Sequence, residues 1–246
     1  MHFSLYERYL RVLHAKTLEE ANHEAQGIIR EIGFKHYMYL FSLENRLTEK
    51  ESCAELNMVR VGTYPKEWID IYVANKYYLI DPAARHIKMH QHPLPWSNAL
   101  FSEPEAVKMY SEAKSFGVSA GATCPVLTAY KDVAGLGFAK EGDADECFGD
   151  VLKALPYGYL LTGYLHEAVI RILGLNPRDI SKDLTPREHE CLLLMSKGLS
   201  DQEIAETMGV VLRTVRFHLK SCREKLGAQN RTQMLARAIE LNIVPL

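Results

Sequence analysis

Four cations, Arg213, Arg216, Lys220 and Arg223, recur at spacings of 3, 4 and 3. On a helix that spacing gathers them on one face. Guanidinium groups so placed can fork onto phosphate oxygens, or onto guanine O6 and N7 in a major groove. Val215, Leu219, Cys222 and Leu226 follow spacings of 4, 3 and 4, which is the stripe of a helix face turned to a core. A basic stripe alone is more often a solvated helix face. The segment in front of it tips the reading toward nucleic acid. Ser200-Asp201-Gln202-Glu203 is a capping box, and Ile204, Ala205 and Met208 give a short helix an apolar face. Gly209 breaks that helix, and Gly227 suits the left-handed position after the second. Two short helices joined by a tight Gly turn, the second with a basic face, describe a helix-turn-helix.

Other residues raise other chemistry. Gly117-Val118-Ser119-Ala120-Gly121 matches G-x-S-x-G, the nucleophile elbow of serine hydrolases. That elbow needs a strand before the Ser and a helix after it. Here a helical pattern precedes and strand-like residues follow, so catalysis is the remote alternative. The two glycines fit better as punctuation of a helix-to-strand turn. His86, His90 and His92 lie close in sequence, but no acidic or Cys partner stands nearby at ligand spacing. There is no Walker A loop and no dinucleotide fingerprint. The chain reads as a non-enzyme.

The elements that must position these residues fit within 246 residues, room for two modest domains. The composition, 47% hydrophobic and 24% charged, is that of a globular protein. No apolar run reaches the roughly 18 residues of a membrane span, and the first residues lack the layout of a signal peptide. Five scattered cysteines without a C-x-x-C suit reduced thiols in a cytoplasm. The net charge of −2 hides an asymmetry: from Leu184 onward nine Lys and Arg face seven Asp and Glu. So slight a surplus means that nucleic-acid binding needs a specific surface rather than bulk charge.

In chain order, Leu5 to Ile32 reads as one or two amphipathic helices, and His36 to Leu43 as an aromatic-rich strand. Glu44 to Cys53 reads as a loop and Asn57 to Val61 as a second strand. A turn at Gly62 to Pro65 leads into a helix carrying Trp68, Ile69, Tyr72 and Val73. Asp81-Pro82 starts another helix, His92 to Trp96 is extended, and Pro104 to Phe116 is helical up to Gly117. Two neighbouring strands, Ala122 to Leu127 and Val133 to Ala139, follow. A long helical pattern from Cys147 to Leu173 is expected to be interrupted near Pro156-Tyr157-Gly158. This order predicts an α+β fold, an α/β/α sandwich around a largely antiparallel sheet, over residues 1–173. Residues 174–183 have linker composition. Residues 184–246 read as a four-helix helix-turn-helix unit, whose starts are written at Thr185, Ser200 and Asn230 as well as at the second helix of the motif.

Leu184-Thr185-Pro186-Arg187-Glu188, Gly198, Glu203-Ile204-Ala205, Thr214 to His218 and Lys225-Leu226 together resemble the LuxR-type helix-turn-helix domain. Tyr64-Pro65-x-x-Trp68-x-x-x-Tyr72, followed by Asp81-Pro82, Trp96 and Gly121, resembles the autoinducer-binding domain of quorum-sensing LuxR regulators. The resemblance implies a cytoplasmic, homodimeric transcription factor. Its partners would be a small-molecule autoinducer and double-stranded, palindromic promoter DNA, with RNA polymerase as a further candidate. No membrane partner is implied, and no cofactor beyond an N-acyl-homoserine lactone as the signal ligand. A regulator that answers to a different small molecule, or to none, is the alternative.

The resemblance also assigns roles. Trp96 would donate its indole N–H to the lactone carbonyl, Asp81 would accept from the ligand amide, and Tyr64 would donate to the amide carbonyl. Trp68 and Tyr72 would wall the acyl tail, and Gly137 would stand where many members carry a Ser that meets the acyl carbonyl. Arg213, Thr214, Arg216, Phe217 and Lys220 would contact DNA, with His218, Arg223 and Lys225 as lesser candidates. Individually each of these residues has an ordinary explanation as core, cap or turn, and only their joint spacing argues for a site. The chain departs from the family pattern at Val211, where a Ser or Thr cap is common, and at Leu199, where Lys is common. It also departs at Ala83, where some members have Thr.

Overall fold

Helix α1 (His2–His14) and helix α2 (Leu18–Glu31) open the chain, and Thr17 caps α2 by accepting the Glu20 N–H. The computed structural model describes residues 2–42, 58–126, 133–175, 184–241 and 243–245. The loop expected at Glu44 to Cys53 and most of the expected linker, 176–183, lie outside the described residues. The chain divides into two compact units, with the break after Ile172.

In the first unit five strands form one antiparallel sheet. They are β1 (His36–Ser42), β2 (Met58–Gly62), β3 (Leu94–Pro95), β4 (Ala120–Val126) and β5 (Ala134–Lys140), in the order β2-β1-β5-β4-β3. Alternation along the strands assigns the two faces. Tyr37, Tyr39 and Phe41 of β1 and Leu136 and Phe138 of β5 are fully buried. They turn toward α2 and the long helix α6 (Phe148–Ile172), where Tyr37 donates to Asn22 Oδ1 at 2.6 Å and Phe41 meets His166 edge-on. The other face carries Met38, Leu40, Gly135, Gly137 and Thr123. It is covered by α3 (Lys66–Ala74) and α4 (Pro82–Met89), while α5 (Pro104–Ser115) joins the same apolar cluster.

The expected interruption of α6 does not occur. Pro156 lies inside a continuous helix, although proline removes a backbone bond to the residue four positions earlier. That residue, Leu152, is exposed. Gly158 is not a breaker either. A Cβ there would lie 2.3 Å from Phe138 Cε1, so the glycine is the notch that seats the phenyl ring against the helix.

The second unit contains α7 (Pro186–Ser196), α8 (Asp201–Met208), α9 (Leu212–Lys225) and α10 (Arg231–Glu240) around its own core. Val215, Leu219, Cys222 and Leu226 are all buried there, on the stripe their spacing prescribes. Thr185 and Ser200 make full capping boxes. At α10 the box is incomplete: Asn230 accepts the Gln233 N–H, but the Gln233 side chain accepts from Gln229 N–H. Helix α9 begins at Val211 with no side-chain cap at all, so three of the four starts are side-chain capped rather than four. Cys191 and Cys222 sit in this core, whereas Cys124 is buried in the first unit.

Candidate ligand-binding site and nucleic-acid interface

Between the second sheet face and helices α3 and α4 lies a cavity of about 470 Å³, the size of a small-ligand pocket. Tyr64, Trp68, Tyr72, Asp81, Trp96 and Gly137 all line it. Local folding explains their convergence. Pro65 sets the start of α3, which places Trp68 and Tyr72 one turn apart with ring centroids separated by 5.7 Å. Asp81 caps α4, taking the Ala83 N–H on Oδ1 at 2.8 Å. Strand β3 brings in Trp96 beside β4.

The polar groups are partly committed to one another. Tyr72 donates to Asp81 Oδ2 at 2.8 Å, so this tyrosine is a polar partner as well as an aromatic wall. The Trp96 indole N–H, expected to face a ligand carbonyl, donates to Thr123 Oγ1 at 2.9 Å. Thr123 pairs across the sheet with Gly137 and was not singled out by sequence reasoning. Its signal was available in alternation, since Thr123 shares the cavity-facing parity of β4 with Gly121. The Tyr64 hydroxyl has no hydrogen-bond partner among the described residues, and it lies 3.2 Å from where a Cβ on Gly137 would stand. A Ser or Ala at position 137 would press on it.

Burial pushes the Asp81 carboxyl above the usual carboxylate range, against the hydrogen bonds from Tyr72 and from the Ala83 and Ala84 backbone. Burial likewise raises Tyr64 and Tyr72, with the neighbouring Asp81 charge second. The site therefore offers one carboxylate acceptor, a tyrosine hydroxyl and an indole in a largely apolar chamber, whose lining also includes Ser42, Arg60, Lys88 and Thr123. Such a set recognises a ligand with an N–H, one or two carbonyls and a hydrocarbon part.

The remaining chemical candidates resolve as structure. Ser119 is buried, with its Oγ 2.8 Å from Gly142 O and 3.0 Å from Gly142 N, and it forms a turn after Gly117, whose φ is +74°. The rings of His86, His90 and His92 gather with centroids 4.6 to 5.3 Å apart. His86 Nε2 is directed to the His92 carbonyl at 2.7 Å. Among the described residues no group of three such side chains is arranged to hold a metal ion.

In the second unit Gly209, at φ +65°, makes the turn between α8 and α9. Arg213, Arg216, Phe217, Lys220 and Arg223 are exposed along α9, and Thr214 is half-buried. Arg216 Nε lies 4.0 Å from Asp201 Oδ2, and Lys220 Nζ 3.9 Å from Glu224; both cations remain open to solvent. Phe217 is 68% exposed, an apolar group in the middle of the basic face. The Lys225 ammonium lies 2.7 Å from Glu188, a buried carboxylate.

A model of the autoinducer binding domain matches residues 17–169, and a model of the bacterial regulatory proteins of the luxR family matches residues 182–238. Transcriptional activator protein BjaR1 of Bradyrhizobium diazoefficiens is 32% identical over 192 residues, which are 76% of this chain and 76% of its own. The crystal structure of Escherichia coli SdiA superposes with a TM-score of 0.78 at 23% identity, covering 100% of both chains, and SdiA has also been solved in complex with octanoyl-rac-glycerol. An N-acylhomoserine lactone-dependent LuxR-family transcription factor, CepR2 of Burkholderia cenocepacia, superposes at 0.54 and 22% identity over 69% of this chain and 95% of its own. At such identities the two structures speak to the fold.

Proposed function

Because the chain belongs to the luxR family of bacterial regulatory proteins, with that family's autoinducer-binding domain ahead of its DNA-binding domain, we propose that its signal is an N-acyl-homoserine lactone. The observation that carries this reading is the composition of one end of the cavity. Asp81, Tyr64 and Trp96 stand together there in a largely apolar chamber, one acceptor and two donors. A lactone of this class presents the complement: an amide N–H, two carbonyls and a hydrocarbon tail. Each polar group of the ligand left unpaired would cost about 1–3 kcal/mol. Asp81 accepts a hydrogen bond from the amide N–H, the Tyr64 hydroxyl donates one to the amide carbonyl, and Trp96 turns from Thr123 to donate to the lactone carbonyl. Trp68 and Tyr72 flank the chain. The DNA target is a palindromic promoter site, read by the α9 helices of two copies set about one DNA turn apart.

Thermal unfolding of the purified protein against acyl-homoserine lactones, with octanoylglycerol alongside, tests the ligand class. A ligand at 100 times its Kd stabilises the fold by about 2.7 kcal/mol. The expected outcome is a raised midpoint with a lactone, abolished in Asp81→Ala and reduced in Trp96→Phe. A shift with octanoylglycerol and none with any lactone would replace the lactone by an acylglycerol. A folded protein that shifts with neither would move the trigger to another molecule.

A further inference from the structure

The floor of the cavity is a groove along the paired strands β1 and β5. Met38 stands opposite Gly137 and Leu40 opposite Gly135, and the Ser42 N–H donates to Val133 O at 2.8 Å. All six residues line the cavity. From the level of Gly137 to that of Val133 the groove runs roughly 13 Å, at about 3.3 Å per residue. The polar groups of Tyr64 and Trp96 flank its Gly137 end; on β2, Arg60 stands level with Leu40 and Met58 level with Ser42.

The two glycines on this floor have different neighbours. Over Gly137 the nearest atoms to an added Cβ are Tyr64 Oη at 3.2 Å and the Trp96 ring at 3.8 Å, so this space belongs to the polar end. Over Gly135 they are Ile87 Cδ1 at 2.9 Å, Ile87 Cγ1 at 3.0 Å and the Cys124 carbonyl oxygen at 3.1 Å. Ile87 comes down from α4 and occupies the volume a side chain at 135 would have filled. The groove is thus pinched halfway along, between Leu40 and Gly135 below and Ile87 above.

The same helix carries the Asp81 carboxylate at its cap. Ile87 lies six positions after Asp81, about 9 Å at 1.5 Å per residue. Helix α4 is pinned at both ends, by the Asp81 cap and by the His86 ring on the His92 carbonyl. It therefore holds the acceptor for a ligand's amide and the pinch at a set separation.

We propose that Ile87, seated on Gly135, is the specificity-determining residue for the ligand's tail, and that α4 acts as a ruler between the amide and the point where the chain must stop or squeeze past. This rests on the acyl-lactone reading of the cavity. The pocket then favours short, slender acyl chains that end before Ile87. Ile87→Ala opens the groove toward Val133. Gly135→Ala forces Ile87 upward into the path and closes it further.

Binding of unbranched homoserine lactones of short, medium and long acyl chain, measured by calorimetry on wild type and both variants, tests this. In Ile87→Ala the long-to-short affinity ratio should rise by about tenfold or more, the effect of a methylene accommodated or refused in an apolar pocket. In Gly135→Ala it should fall. Where Gly135→Ala fails to fold, Ile87→Ala decides alone, since Ile87 is only partly buried. Lactone binding with the same ratio in wild type and Ile87→Ala overturns the role of Ile87 and leaves the lactone site standing. Failure of every lactone to bind the folded wild type overturns both.

Discussion

The carboxylate of Glu188 holds several partners at once. It accepts the Thr185 N–H at 2.7 Å and the Lys225 ammonium at 2.7 Å, and Ser221 adds a further hydrogen bond. Burial pushes this carboxyl up, but these partners outweigh it and hold it at about 2. A carboxyl held below its unfolded value contributes stability that is fully present above the ordinary carboxylate range and is lost as the pH falls toward about 2. Lys225→Met removes the strongest of the lowering partners. In urea unfolding at neutral pH the variant should lose about 1.5–3 kcal/mol, the worth of a hydrogen bond to a charged group, and its acid unfolding should begin at a higher pH. An acid transition identical to wild type would show that the pair contributes nothing. The capping role of Glu188 was legible from three residues of spacing. Its ion pair was not, because Lys225 lies 37 positions away and shares its helix with cations that do face solvent. Trp96 and Thr123 repeat the lesson across 27 positions.

At the level of elements, the long helix α6 sets two familiar effects against each other. Alanine is the better helix former by about 1 kcal/mol, so Gly158→Ala would stabilise an isolated helix. In the folded unit its Cβ would meet Phe138 at 2.3 Å, and overpacking of that kind costs about 1–3 kcal/mol. The expected net result is a lower denaturation midpoint; a higher one would mean that Phe138 moves aside at no cost. Four of the five strands and most helix starts followed from local patterns. The role of Gly158 in α6 did not, because it is set by the Phe138 ring on another element.

Helix α9 supplies the second test at this scale. Arg216→Ala should weaken operator binding by about 1–3 kcal/mol and relax the sequence preference at one position if Arg216 reads a base. Uniform weakening across sequences with a shallower salt dependence would instead make it a phosphate contact. Phe217→Ala should discriminate less against a site stripped of a thymine methyl. Val211 leaves the first turn of this helix without a side-chain acceptor, and that is the end a DNA phosphate can complete.

Each of the two units packs hydrophobic residues of its own, and the cavity lies in the first. A ligand binding in the first unit lowers the population of that unit's open states directly. The buried thiols are divided in the same way. Burial pushes Cys124 up to about 12, and in the second unit it pushes Cys191 up to about 11 and Cys222 up to about 12. A protonated, enclosed thiol does not react with alkylating agents until the packing around it opens. The chain therefore carries its own internal clocks, one in the sensory half and two in the DNA-reading half. Mass-resolved alkylation with and without a lactone should show Cys124 slowed and Cys191 and Cys222 keeping their pace. Equal slowing of all three would mean that the halves breathe together, and the rate at each sulfur would then measure how far news of the signal has travelled.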